Sequence, residues 1–215
     1  MKIYHETLCI DSKGNISDKY DLDECVSIDI AQFDHFSENR RQRRTAQSLL
    51  VRELLDASLH NIFKQGIDNS WTLNKFETGK PFLNGNNAPS ISISHSGNWC
   101  VCAVTKALLV GVDIEAIKPR NWDEYSRDVF HPEEAKWVLD VVGFERDVRG
   151  LICWCRKEAV VKALGIGLSV PLSEIVFSSE GNLIGFPKEL GEPLGWRFFS
   201  RIILDKVVVA VAWKK

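Results

Sequence analysis

The most constraining feature of this sequence is a long helical pattern followed by strand-like runs, which occurs twice along the chain. In the helical segments apolar residues recur at the spacing of one helix face, whereas in the strand-like segments they alternate or run continuously. The two sets meet near residues 105–109, and this order favours an α+β fold with a duplicated unit. The helical segments are 37–63, 122–142 and 151–164, and the strand-like segments include 91–94, 99–105, 108–114 and 206–213.

The first helical pattern begins with an unusual concentration of positive charge. Ser37 is predicted to cap this helix, and four arginines follow within residues 40–44. Cations near a helix N-terminus interact unfavourably with the helix dipole, so an anionic ligand is favoured there over a merely solvated helix start. The predicted apolar face comprises Ala46, Leu49, Leu50, Leu54 and Ala57.

The second helical pattern is interrupted at His131-Pro132. Proline suits the first position of a helix, because its missing N–H would have no partner there. With Pro132 in that position, either His131 or a water molecule must cap the helix. Aromatic residues of the surrounding segment, 118–144, either contact a protein partner or belong to the core, and the sequence leaves both interpretations open for Trp122, Tyr125 and Trp137.

The net charge of the chain excludes a protein that attracts anionic ligands through an overall positive electrostatic field. The 215 residues carry a formal net charge of −2, so an anionic ligand must be met by a local basic cluster. The chain is long enough for one large domain or two small ones.

The cellular environment is indicated by the first residues and by the cysteines. The first residues lack the apolar run of a secretory signal, and no segment approaches the roughly 18 apolar residues that span a bilayer. Four of the six cysteines form C-x-C pairs inside apolar runs at 100/102 and 153/155, which indicates buried thiols rather than a zinc site. We therefore expect a cytoplasmic protein without a membrane partner.

A strand with two carboxylates is the first candidate for a metal site. Residues 110–115 read Val-Gly-Val-Asp-Ile-Glu, and alternate side chains of a strand share a face. The apolar residues then point into a core, while Asp113 and Glu115 point the other way, roughly 7 Å apart. Two such carboxylates repel each other unless a cation lies between them, and hard oxygen ligands suit magnesium. The alternative is a solvated strand face.

A helix with charged residues in an apolar context is the second candidate. Glu158 and Lys162 lie four residues apart and therefore on one helix face. They form either a surface salt bridge or part of a site. The helix is otherwise strongly apolar, so burial of Lys157, Glu158 and Lys162 would be costly unless a site needs them.

Two turns could present groups to a phosphate. Ser94, His95 and Ser96 crowd a strand end, where a turn can offer donors to an anion, although a polar turn without function is the alternative. Neither serine lies in the G-x-S-x-G elbow of a hydrolase. Residues 79–81, Gly-Lys-Pro, place Lys80 on a stiffened loop. The chain has no Walker loop and no dinucleotide-binding glycine turn.

Taken together and in this order, these segments resemble the Sfp-type 4′-phosphopantetheinyl transferases. Each motif alone is weakly specific, whereas four motifs in the family's order and spacing are specific. The resemblance covers about residues 38–170, with one departure at Phe130-His131-Pro132, where the family often has a serine after the phenylalanine. The matching segments are Gly79-Lys80-Pro81, Ile93-Ser94-His95-Ser96, Gly111-Val112-Asp113-Ile114-Glu115, and the helix from Trp154 through Lys157-Glu158-Ala159 and Lys162 to Gly165-Ile166-Gly167-Leu168.

The resemblance implies an α+β fold of two similar α/β halves that form an intramolecular pseudodimer. The N-terminal half would be 1–106 and the C-terminal half, which carries the metal site, 107–215. The implied activity is magnesium-dependent transfer of the 4′-phosphopantetheine group of coenzyme A to a serine of an acyl or peptidyl carrier protein, with release of adenosine 3′,5′-bisphosphate. The carrier could serve fatty-acid, polyketide or peptide synthesis. A cytoplasmic monomer without a nucleic-acid partner is expected.

The resemblance also implies roles for individual residues. Glu158 would be the proton acceptor, directly or through water, and with Asp113 and Lys162 it forms the implied catalytic set. The implied magnesium ligands are Asp113, Glu115 and Glu158. The implied coenzyme A contacts are Lys80, Ser94 and His95 at the nucleotide end and its 3′-phosphate, Lys157 and Lys162 beside the pyrophosphate, and Arg44 at a phosphate.

Two other functions would use the same residues. One is a catalytically inactive module that binds coenzyme A or a carrier protein, and the other is a metal-dependent nuclease or phosphatase. Modification of a carrier protein separates the first from the transferase, and turnover of coenzyme A without a carrier would favour the second.

Overall fold

The structure is a computed structural model that describes residues 2–17, 25–33, 39–63, 71–167 and 169–215. The predicted cap Ser37 and the motif residue Leu168 lie outside the described residues. The helices are α1 (Arg40–Phe63), α2 (Trp122–Asp128), α3 (Pro132–Leu139) and α4 (Phe144–Leu164). The strands are β1 (Lys2–Ile10), β2 (Val26–Phe33), β3 (Thr72–Lys75), β4 (Pro81–Asn84), β5 (Ser90–Ser96), β6 (Trp99–Thr105), β7 (Leu109–Ala116), β8 (Val176–Phe177), β9 (Leu183–Gly185), β10 (Trp196–Ile203) and β11 (Val207–Lys214).

Two antiparallel sheets organise the molecule, and helices and sheets together make it α+β, as predicted. The first sheet has the order β1-β2-β6-β5 and the second β10-β11-β7, while β3-β4 and β8-β9 form separate two-stranded hairpins. Helix α1 packs on β2 and β6, and α4 packs on β7 and β11. One apolar cluster joins the two sheets, because side chains such as Ile28 and Val101 of the first contact Val112, Ile114 and others of the second.

The two sheets meet where β5 lies beside β7, and serine hydroxyls form much of this junction. Ser92 Oγ accepts the backbone N–H of Val112 at 3.0 Å, and Ser96 Oγ accepts that of Ala116 at 3.1 Å. Because alternate residues of a strand share a face, Ser92, Ser94 and Ser96 of β5 all point their hydroxyls at β7. The alternation of polar and apolar residues that predicted a strand at 91–94 therefore also places the serine hydroxyls that join the two sheets.

Helix α4 lies unusually close to β7 at Gly111. A Cβ atom on this residue would lie 1.9 Å from the carbonyl oxygen of Ala159 and 2.5 Å from the backbone nitrogen of Ala163. Only a glycine permits this separation, since Cβ atoms do not approach backbone atoms so closely. The side chains that follow on β7 are thereby brought against the same face of α4.

Helix boundaries agree with the sequence in part. Helix α4 ends at Gly165, which has φ 69°, as the glycine predicted. It begins at Phe144 instead of Leu151, because the turns at 144–150 are largely polar and their helical period is weak. The imidazole of His131 accepts the backbone N–H of Glu133 and caps α3, which confirms one of the two predicted capping solutions.

The predicted apolar face of α1 is wrong at its N-terminal end. Leu50 and Leu54 are buried, but Leu49 is 60 % exposed and Ala46 is exposed as well. The buried face is rotated by about one residue and includes Leu50, Val51, Leu54, Leu55, Leu59 and Ile62.

Burial also decides two other sequence interpretations. All six cysteines are buried, as predicted. Trp122 belongs to the core, because its ring lies over Gly150 and its side chain is 1 % exposed. Among the described residues, no helix combines the length and the apolar composition needed to cross a bilayer.

Lys157 occupies a different place from the one predicted beside a pyrophosphate. Its side chain is fully buried and forms an ion pair with Glu134 Oε2 at 2.6 Å. Its ammonium also donates to the carbonyl oxygens of Leu172 at 2.9 Å and Ile175 at 2.6 Å. A lysine has three donors, so all of them are used inside the fold. Lys157 therefore ties α4 to α3 and to the following loop, and the expected phosphate contact is corrected.

We expect Lys157→Met to lower the free energy of unfolding by about 3–5 kcal/mol, because it leaves the carboxylate of Glu134 buried without its cation. The measurement is urea denaturation followed by circular dichroism. The double variant Lys157→Met/Glu134→Gln should recover part of the loss, since no buried charge remains.

The matched control is Lys136→Met, which removes an exposed lysine from α3. If Lys157→Met destabilises the protein no more than this control, the buried ion pair has no structural role.

Candidate active site

Strands β5 and β7 and helix α4 bring three of the predicted site residues into contact. Lys162 Nζ lies 2.5 Å from Asp113 Oδ1 and 2.7 Å from Ser94 Oγ. The hydroxyl of Ser94 in turn donates to Asp113 Oδ1 at 2.9 Å. Asp113 is 3 % exposed, so its charge is stabilised by these donors rather than by solvent. The interpretation of Lys162 as part of a mere surface salt bridge to Glu158 does not hold.

Glu158 lies one helical turn before Lys162 and faces the same cluster. Burial raises the pKa of the Glu158 carboxyl group, and the neighbouring carboxylate of Asp113 raises it further, while Lys162 lowers it and Glu115 raises it. The ionised form of Glu158 is thus disfavoured by negative charge nearby. The repulsion between these carboxylates is relieved either by protonation of one of them or by binding of a cation.

Glu115 is held separately from this cluster. Its Oε2 lies 2.7 Å from Arg120 Nη2 and accepts the hydroxyl of Ser96 at 3.0 Å. The two carboxylates of β7 therefore have different cationic partners, Lys162 for Asp113 and Arg120 for Glu115. Arg120 is a residue that the sequence interpretation missed.

The fit of a divalent cation rests on the oxygen atoms that remain open. Asp113 Oδ2 is buried and has no hydrogen-bond partner among the described residues, and Glu158 stands beside it in a negative field. In the part of the chain that the structure describes, no three His, Cys, Asp or Glu side chains are grouped so that they could hold a metal. Magnesium commonly uses one or two carboxylates together with water and substrate phosphates, so Asp113 and Glu158 fit, and a ligand role for Glu115 stays a prediction.

Two clefts adjoin the cluster and share Gly79, Pro81 and Ile93 in their walls. The smaller, of about 270 Å³, is lined by Lys80, Glu158 and Lys162 among others. The larger, of about 670 Å³, lies between α1, β3 and β5, and its lining includes Arg44, Gln47, Ser48, Arg52, Lys75 and His95.

Positive charge is concentrated along the larger cleft. Arg44 and His95 were predicted, whereas Arg52 and Lys75 were missed. Arg44, Ser48 and Arg52 are spaced by four residues and therefore share one face of α1, which is a signal that the sequence carries. Lys75 gives no such signal, since the β3-β4 hairpin brings it to the cleft. Arg40, Arg41 and Arg43 are residues whose side chains the structure does not describe.

His95 and Lys80 are two further predicted phosphate contacts. Burial lowers the pKa of His95, and Lys162 lowers it further, while Arg44 has a smaller effect in the same direction. Burial also lowers the pKa of Lys80, whose ammonium donates to the carbonyl oxygen of Ala163 in the last turn of α4 at 2.5 Å. Both residues therefore line a cleft, and both already interact with neighbouring groups of the protein.

Comparison with known proteins gives the family. Residues 109–212 match the model of the 4′-phosphopantetheinyl transferase superfamily. This region of the chain is therefore similar to that superfamily. A 4′-phosphopantetheinyl transferase of Bacillus subtilis is 36 % identical over 96 residues, which cover 45 % of this chain and 42 % of that protein. The transferase Sfp of Bacillus subtilis strain 168 is 34 % identical over the same number of residues, with the same coverage.

A third relative matches over a longer region. The 4′-phosphopantetheinyl transferase HetI of a Nostoc species is 28 % identical over 183 residues, which cover 83 % of this chain and 73 % of HetI. The predicted resemblance to the Sfp-type members is thereby confirmed. The chain spans about half the length of several curated relatives that it matches, with 42 % of the first Bacillus protein and 58 % of a Synechocystis relative covered.

We expect Asp113→Asn to lower the pKa of the Glu158 carboxyl group in magnesium-free solution, because the substitution removes a negative charge that disfavours its ionisation. The measurement is a carbon-13 NMR titration of the glutamate carboxyl signals, with Glu158→Gln used for assignment.

The control is Asp123→Asn, which neutralises an exposed carboxylate of α2. An unchanged Glu158 titration in Asp113→Asn, or an equal shift in the control, would contradict the proximity of the two carboxylates.

Proposed function

We propose that the protein transfers the 4′-phosphopantetheine group of coenzyme A to a serine hydroxyl of an acyl or peptidyl carrier protein. The observation that carries this proposal is the contact of Asp113, Lys162 and Ser94 beside Glu158, at the smaller of two adjoining clefts. A cluster of carboxylates with one lysine suits a phosphoryl group and a divalent cation. The larger cleft, which is lined by arginines, suits a phosphorylated nucleotide.

The two clefts would bind different charged parts of the substrate. The nucleotide and its 3′-phosphate would occupy the larger cleft, where Arg44 and His95 are joined by Arg52 and Lys75. The pyrophosphate would lie in the smaller cleft beside Lys162 and Lys80. Coenzyme A bound in this way would have its β-phosphorus near Glu158 and Lys162, and Lys162 contacts Asp113.

Asp113 and Glu158 are the residues that would hold a magnesium ion, which when bound neutralises the pyrophosphate and orients it. The chain's own residues supply the remaining chemistry. Lys162 adds positive charge beside the transferred group, and its contacts with Asp113 and Ser94 fix its position before substrate arrives. Such preorganisation matters because phosphoryl transfer depends mainly on positioning and electrostatic stabilisation.

Proton transfer is assigned to Glu158. The serine oxygen of the carrier forms a bond to the β-phosphorus, the bond between that phosphorus and the oxygen of adenosine 3′,5′-bisphosphate breaks, and the serine proton passes to Glu158 directly or through water. Burial and neighbouring carboxylates raise the pKa of the Glu158 carboxyl group when no cation is bound, and its place in the wall of the smaller cleft supports its role as proton acceptor.

We also propose that residues 1–106 and 107–215 are two halves of an intramolecular pseudodimer that acts as a monomer. The arrangement that supports it is one long helix against each antiparallel sheet, α1 on the first and α4 on the second. The smaller cleft lies where β5 of one half faces α4 of the other.

We expect Asp113→Asn and Glu158→Gln each to reduce transfer by a factor of about 10² or more, because each removes a charge at the reacting phosphate. The assay is mass spectrometry of a carrier protein incubated with coenzyme A and magnesium, in which transfer adds the mass of one phosphopantetheine group. The control variant, Glu180→Gln, changes an exposed glutamate of the β8-β9 turn and should transfer normally.

The same assay separates the alternatives. Binding of coenzyme A without any gain of carrier mass would indicate an inactive binding module. Consumption of coenzyme A in the absence of carrier would indicate a hydrolase. Near-normal transfer by either site variant would overturn the assignment of this cluster.

We expect His95→Ala to weaken the binding of coenzyme A by about tenfold, because a hydrogen bond to a charged phosphate is lost. The binding of 3′-dephospho-coenzyme A should change little. Isothermal titration calorimetry without carrier measures both, and His60→Ala, at the exposed end of α1, is the control. Equal losses for the two nucleotides would remove His95 from contact with the 3′-phosphate.

A further inference from the structure

Arg156 lies on the face of α4 opposite the candidate active site and has no part in the proposed transfer. It precedes Glu158 by two residues, and successive helix residues are rotated by about 100°, so the two side chains point to opposite sides of α4. Arg156 extends to β10, where its Nε and Nη2 both donate to Ser200 Oγ, at 3.3 and 3.0 Å. The arginine therefore belongs to a different region of the molecule from the catalytic cluster.

The guanidinium of Arg156 is half-buried without a carboxylate partner. Burial lowers its pKa, because the charged form loses contact with water. The nearby carboxylate of Glu134 already forms an ion pair with Lys157 at 2.6 Å. In the described part of the chain, the hydrogen bonds of the Arg156 guanidinium go to the hydroxyl of Ser200 alone. A buried charge is costly unless it is paired, so this cation favours an anionic ligand.

Hydrogen-bond donors of Arg156 and Ser200 remain available to such a ligand. A guanidinium has five N–H donors, and Ser200 Oγ accepts two of them. Among the described residues, neither the other three nor the O–H of Ser200 has an acceptor. Gly181 leaves the end of the guanidinium uncovered, since a Cβ atom on it would lie 2.8 Å from Nη2 and 3.4 Å from Nη1. Its φ of 93° also favours glycine at this position.

These donors line a cavity of about 280 Å³ between α4, β10 and the β8-β9 turn. This volume is near the lower limit for small-molecule pockets. Phe198 and Phe199 contribute to its wall, as does Glu180. Glu180 Oε2 accepts the hydroxyl of Ser178 at 3.2 Å, and Glu180 forms no ion pair with Arg156 in the described structure. Its negative charge disfavours a dianion such as phosphate more strongly than a monoanion.

We propose that this cavity is a second ligand site, which binds a small monocarboxylate. The carboxylate accepts hydrogen bonds from the guanidinium of Arg156, whose planar fork matches the two oxygens of a carboxylate, and from the hydroxyl of Ser200. The apolar part of the acid lies against Phe198. The site does not depend on the proposed transferase activity, since the residues that line this cavity differ from those that line the two clefts.

The test is a titration of the full chain with sodium butyrate at constant ionic strength, without coenzyme A or carrier protein. Nitrogen-15 NMR spectra of the arginine Nε–H groups give the readout. The Arg156 signal, assigned by its loss in Arg156→Gln, should shift until the site is saturated. Arg201 is the control in the same spectrum, assigned by Arg201→Gln. It lies next to Ser200 on β10 and already pairs with Glu6 at 3.0 Å, so its signal should move little.

Three variants that keep Arg156 identify the other groups of the site. Ser200→Ala should weaken butyrate binding by about fivefold, because one hydroxyl donor is lost. Ser179→Ala removes an exposed hydroxyl from the β8-β9 turn and should leave the affinity unchanged. Glu180→Gln should tighten binding by about twofold to threefold, because it removes a like charge beside the ligand. Melting curves establish that each variant is folded.

The outcomes against the proposal are distinct. A shift of the Arg156 signal that never saturates, or an equal shift of the Arg201 signal, would show that butyrate acts only as an electrolyte. An equally strong response to phosphate would contradict the assignment to a monocarboxylate. A response that occurs in Glu180→Gln but not in the unmodified protein would mean that Glu180 itself neutralises Arg156. Each of these results would overturn the proposed site.

Discussion

The contact between β7 and α4 at Gly111 is the constraint on which the candidate site depends. Because no side chain separates the strand from the helix there, backbone atoms of the two elements approach to a distance that any Cβ would prevent. Asp113 follows two residues later on the same strand face, and Lys162 lies on the facing side of α4. The close approach of the two backbones therefore brings Lys162 within reach of Asp113, with 2.5 Å between the atoms of the ion pair.

The junction between β5 and β7 completes this arrangement with polar groups. Three serines at alternate positions of β5 reach β7. The hydroxyls of Ser92 and Ser96 accept its backbone N–H groups, and those of Ser94 and Ser96 donate to its carboxylates. The same junction thus gives hydrogen-bond partners to the edge of β7 and to the carboxylates of Asp113 and Glu115. The residues that join the two sheets are also residues of the candidate site. The site is therefore rigid because the sheets are joined.

Much of this could be predicted from local patterns. The alternation at 110–115 placed Val112 and Ile114 in the core and the two carboxylates on the other side, and the glycine at 165 marked the end of α4. The failures have a common origin in long-range contacts. Lys157 belongs to the same motif as Glu158, yet it forms an ion pair with Glu134 of α3. The local sequence of neither segment indicates that pairing. In the same way, the hairpin that carries Lys75 to the larger cleft leaves no mark in the local pattern.

Lys80 connects ligand binding to the integrity of a helix end. Its ammonium satisfies the carbonyl of Ala163, one of the last groups of α4 without a partner inside the helix. An anion that drew this lysine away would leave that carbonyl without its partner, so binding of an anion in the smaller cleft would compete with the helix terminus. Residues that strengthen or weaken the end of α4, far from any phosphate, would for this reason tune how tightly the cleft holds its ligand.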